Sequence, residues 1–101
     1  MKQLYPDLWQ TNLYKSGMLS SYAYMLQHPD GNILFYNTNN ETDLDHIEQL
    51  GGIKYQLLTH RDEAGASLSR IKKRFNSTLV FSEQEAQAIS KYAEADQFFE
   101  A

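Results

Sequence analysis

Two short apolar runs, Tyr55-Gln56-Leu57-Leu58 and Thr78-Leu79-Val80-Phe81, flank a stretch in which Leu68, Ile71 and Phe75 recur on one helical face. That order constrains the fold more than any other feature. Two strands joined through a helix pair in parallel by a right-handed crossover. An earlier helical pattern feeds the first of these strands. Thr42 reads as its N-cap, Asp43 and Asp45 suit the positive helix end, and Leu44, Ile47 and Leu50 share a face. Gly51-Gly52 stops that helix. After the second strand, Ser82 and Glu85 read as a capping box opening a third helix through Ala86, Ile89 and Tyr92.

The region before residue 37 has another character. Ser21-Tyr22-Ala23-Tyr24-Met25-Leu26 is aromatic-rich and reads as a strand, and His28-Pro29-Asp30-Gly31 reads as a turn. Ile33-Leu34-Phe35-Tyr36 is a continuous apolar run that suits a strand covered on both faces. The two runs form a hairpin. Leu8 to Tyr14 adds a further strand. The expected fold is α/β (α+β by strict class), with a mixed sheet that is antiparallel at one side and parallel at the other. Its helices lie on one face.

The 101 residues predict a single domain over residues 1–101. Apolar residues make up 42% and aromatic residues 13%, which excludes a disordered chain. There is no apolar run long enough to span a membrane, and no signal peptide at Met1-Lys2-Gln3-Leu4-Tyr5. The absence of Cys removes disulfides and thiolate ligands. The expectation is a soluble, cytoplasmic protein. A net charge of −4 argues against nucleic acid. Charge is uneven, with Arg70, Lys72, Lys73 and Arg74 on a basic helix and Glu83, Glu85, Glu94, Asp96 and Glu100 in an acidic tail. Two such faces attract one another.

Chemistry concentrates at Thr59-His60-Arg61-Asp62-Glu63, at the end of a strand and before a helix. In sheets of this type, functional groups gather beyond the carboxyl ends of strands. An imidazole with two carboxylates suits a metal ion or acid–base work near neutrality. Arg61 could hold an anionic ligand or neutralise the carboxylates. The same residues also have ordinary uses: Asp62 as an N-cap, Glu63 beside the helix dipole, and His60 as a half-buried imidazole. His28 reads as turn polarity, and His46 as a residue on the polar side of a helix.

Leu57-Leu58-Thr59-His60-Arg61-Asp62-Glu63-Ala64-Gly65 resembles the first metal-binding loop of the metallo-β-lactamase superfamily, which usually reads Thr-His-x-His-x-Asp-His. The surrounding order of elements over residues 8–90 resembles that family too, including the hairpin that ends at Asn37-Thr38-Asn39. The resemblance implies one half of an αββα sandwich. It makes His60 and Asp62 the candidate metal ligands, for Zn, Mn or Fe, and Asp62 and Glu63 the candidate catalytic groups. Ala64 and Gly65 depart from the pattern with no ligating side chain. Asn37 stands where the family has aspartate, and Asn39 where it has glycine.

These readings favour a non-catalytic half-domain acting through homodimerisation or a protein partner at a sheet face. Trp9, Tyr22, Tyr24, Phe35, Phe98 and Phe99 are the candidate contact residues. The alternative is a metal-dependent hydrolase with a reduced or dimer-completed site at His60, Asp62 and Glu63. A third reading, a small-ligand module using Arg61 and the tyrosines, is weaker, because tyrosines at strand spacing pack on sheet surfaces.

Overall fold

The computed structural model describes residues 1–16, 19–58, 65–90, 93 and 95–99, the side chains of 14–16, 19–20, 98 and 99 excepted. A hairpin of β1 (Lys2–Tyr5) and β2 (Leu8–Gln10) opens the chain, followed by a separate pair, β3 (Tyr14–Ser16) and β4 (Leu19–Ser21). β5 (Tyr24–Leu26) and β6 (Ile33–Phe35) form the expected hairpin. Then come α1 (Glu41–Gln49), β7 (Tyr55–Leu58), α2 (Ser67–Phe75) and β8 (Thr78–Ser82). A single 3-10 turn at Glu83–Glu85 leads into α3 (Ala86–Ile89), and β9 (Gln97–Phe99) ends the described chain.

Seven strands make one sheet in the order β1-β2-β5-β6-β7-β8-β9. The pairs on the β1 side of β6 are antiparallel, and β6-β7, β7-β8 and β8-β9 are parallel. The mixed sheet is therefore as the sequence predicts. β1, β9 and the β3-β4 pair were not legible, because each is short and lacks an apolar alternation.

Pairing register divides the sheet into two faces. One carries Met25, Leu34, Gln56, Leu58, Leu79 and Phe81, all buried. α1 and α2 send Leu44, Ile47 and Ile71 onto Met25 and Leu34, while Leu68 and Ile89 join Leu58, Leu79 and Phe81. Burying each such side chain contributes about 1.5–3 kcal/mol, which fixes the helices to this side. The other face carries two rows. Leu8, Leu26, Ile33, Tyr55 and Thr78 are in register, as are Gln10, Tyr24, Phe35, Leu57 and Val80. All ten are half-buried, and none belongs to either core cluster.

Several expectations are corrected by this packing. The β6 run is buried only at Leu34, so the strand is not covered on both faces among the described residues. It ends at Phe35, because Tyr36 turns the chain with φ 75°. Asn40, not Thr42, caps α1 by accepting a hydrogen bond from the Asp43 N–H at 3.1 Å. Ser82 accepts from Gln84 N–H and opens a 3-10 turn rather than a capping-box helix; Tyr92 lies outside the described residues. Trp9 pairs with Met25 and so faces the helices, not the side of the two half-buried rows. His46 is half-buried beneath it, ring to ring at 4.9 Å and T-shaped, rather than on the polar side. The basic helix does reach the tail, through Lys72 and Asp96 at 2.8 Å. Its arginines instead meet the acidic face of α1: Arg70 with Glu41 at 3.0 Å, and Arg74 with Asp45 at 2.7 Å.

Candidate functional site

The carboxyl ends of β6 and β7 meet the amino end of α2 around Asn37. This side chain is 1% exposed. Its Oδ1 accepts from the Thr38 N–H at 3.0 Å, the Gln56 amide at 3.3 Å and the Ser67 hydroxyl at 3.0 Å. Gln56 also donates to the Tyr36 carbonyl at 2.9 Å. A carbonyl accepts only, so the Gln56 amide orientation is fixed; Thr38 N–H donates only, so that of Asn37 is fixed too. Among the described residues, the Asn37 Nδ2 group is left buried without a partner. An unsatisfied buried donor costs about 1–3 kcal/mol, and it sits beside the positive-φ corner at Tyr36.

A second buried node lies one turn further on. Asp43 is fully buried and accepts from Asn12 N–H at 3.1 Å, the Asn12 side-chain amide at 2.8 Å and the Thr38 hydroxyl at 3.3 Å. The Met1 ammonium is 3.7 Å away. Sequence reasoning assigned Asp43 only to the helix dipole, since its partner Asn12 lies thirty-one residues earlier. Together these bonds tie the turn after β6 to the loop after β2.

Outside Asn37, a cleft of about 370 Å³ is lined by Asn39, Ala66, Ser67 and Arg70. Ala66 occupies the N-cap of α2 and gives the helix no side-chain cap. Asp62, read from sequence as a cap, lies outside the described residues, as do His60, Arg61 and Glu63. Arg70 donates to the Asn39 carbonyl at 3.1 Å as well as pairing with Glu41. Its charge is committed to the protein. Arg74 is held protonated above its ordinary range by its hydrogen bond to Asp45 and the nearby charges of Glu48 and Glu41.

Among the described residues, no three His, Cys, Asp or Glu side chains are grouped to hold a metal ion. Asn37 directs its oxygen to three protein donors, Gly65 has no ligating side chain, and His28 and His46 lie apart in the β5-β6 turn and on α1. His28 stays in its turn, its Nδ1 accepting from the Asp30 N–H at 3.1 Å. No helix among the described residues is long and apolar enough to cross a membrane.

No protein-family model matches the chain, and no curated protein matches it. Solved structures do. A metallo-β-lactamase from Pontibacter korlensis superposes with a TM-score of 0.73 at 16% identity, covering 99% of this chain and 52% of that one. A Cronobacter sakazakii metallo-β-lactamase with a HARLDQ motif gives 0.71 at 19% identity, over 97% and 44%. BJP-1, a subclass B3 enzyme of Bradyrhizobium japonicum, gives 0.65 at 20% identity, over 78% and 39%. The chain spans about half the length of the structures it matches or less. It is folded as a metallo-β-lactamase over roughly half of that architecture.

Proposed function

We propose that this chain acts without catalysis, as an interaction module that works through homodimerisation or a protein partner at its open sheet face. The observation that carries the reading is the pair of half-buried rows across β2, β5, β6, β7 and β8, which lie outside both core clusters. A sheet with one face packed on helices and the other apolar is half of a layered architecture. Contiguous apolar surface of this kind marks an interaction site. At concentrations where the chain sediments as a monomer, an apolar dye that fluoresces on hydrophobic surface should bind it, and binding should fall in the Leu57→Lys variant. A chain that neither associates nor binds dye would remove the reading.

The competing reading is a metal-dependent hydrolase with His60, Asp62 and Glu63 as its donors. It is favoured by the fold, since the matching structures are metallo-β-lactamases. Ligand binding to the native state raises stability by mass action. Titration with Zn(II), Mn(II) or Fe(II) should leave the melting temperature unmoved if the chain is an interaction module. A rise that is lost in His60→Ala would establish the hydrolase reading instead.

A further inference from the structure

We draw no further inference here: the strongest candidate, the cleft at the uncapped amino end of α2 lined by Asn39, Ala66, Ser67 and Arg70, belongs to the site already described, and the Arg70 charge in it is committed to Glu41 and the Asn39 carbonyl.

Discussion

Asn37 sits at the point where three elements exchange hydrogen bonds, with one side of its amide fully used and the other not used at all. Asn37→Ala would strand three buried donors and should cost about 2 kcal/mol in denaturant unfolding. Asn37→Asp keeps the three acceptor contacts and removes the unpaired N–H donors, so it should lose less than Asn37→Ala at neutral pH. The equality of the two variants would count against the hydrogen-bond account. Nothing in the local sequence signals this node. Gln56 falls in an apolar strand, Ser67 precedes a helix face, and their meeting depends on the parallel register of β6 and β7. Tyr36 illustrates the same limit: it reads as a continuation of the strand, yet turns out at φ 75°.

Elements were more legible than residues, and the reason is chemical. α1 ends where Gly51 and Gly52 take φ values of 107° and 78°, which side chains resist, so the stop is written in the sequence. Its start is not, because Asn40, Thr42 and Asp43 are all competent caps and only the chain path selects Asn40. Asn40→Ala should cost about 1 kcal/mol, read as a lowered midpoint in urea, with Thr42→Ala nearly silent. Gly31, in the turn between β5 and β6, has φ 130°, and an added Cβ would stand 2.5 Å from Lys54 Cδ and 2.6 Å from its Cβ. Gly31→Ala should therefore cost more than about 1 kcal/mol. A neutral result would mean that the turn refolds around the methyl group.

At the scale of the whole molecule, Asp96 joins the acidic tail to the sheet. Asp96 accepts from Lys72 at 2.8 Å and from the Leu79 N–H at 2.8 Å, and these bonds, Lys72 first, hold its pKa below the ordinary 3.8. A depressed folded-state pKa contributes stability that is present above the ordinary value and is lost as pH falls through the depressed one. Stability should thus decline below about pH 4.5. Asp96→Asn should lose roughly 0.5–1 kcal/mol near neutrality, since the pair is partly exposed, and the gap to wild type should close in acid. A gap independent of pH would refute the assignment. The overall layering was readable from the helix–strand alternation. The loop at His60, Asp62 and Glu63, where the chemical signal was densest, lies outside the described residues.

The sheet order has a practical consequence. Its first strand, β1, and its last, β9, are the two outer edges, six strand spacings apart, or about 29 Å at the usual separation. A donor and an acceptor dye placed near residues 2 and 97, in register with Gln10 and Val80, would face each other across the full width of the sheet. Their energy transfer would report the integrity of every intervening strand pair at once. With labelled chain diluted into excess unlabelled chain the transfer reports that distance within one molecule, so folding could be followed separately from assembly.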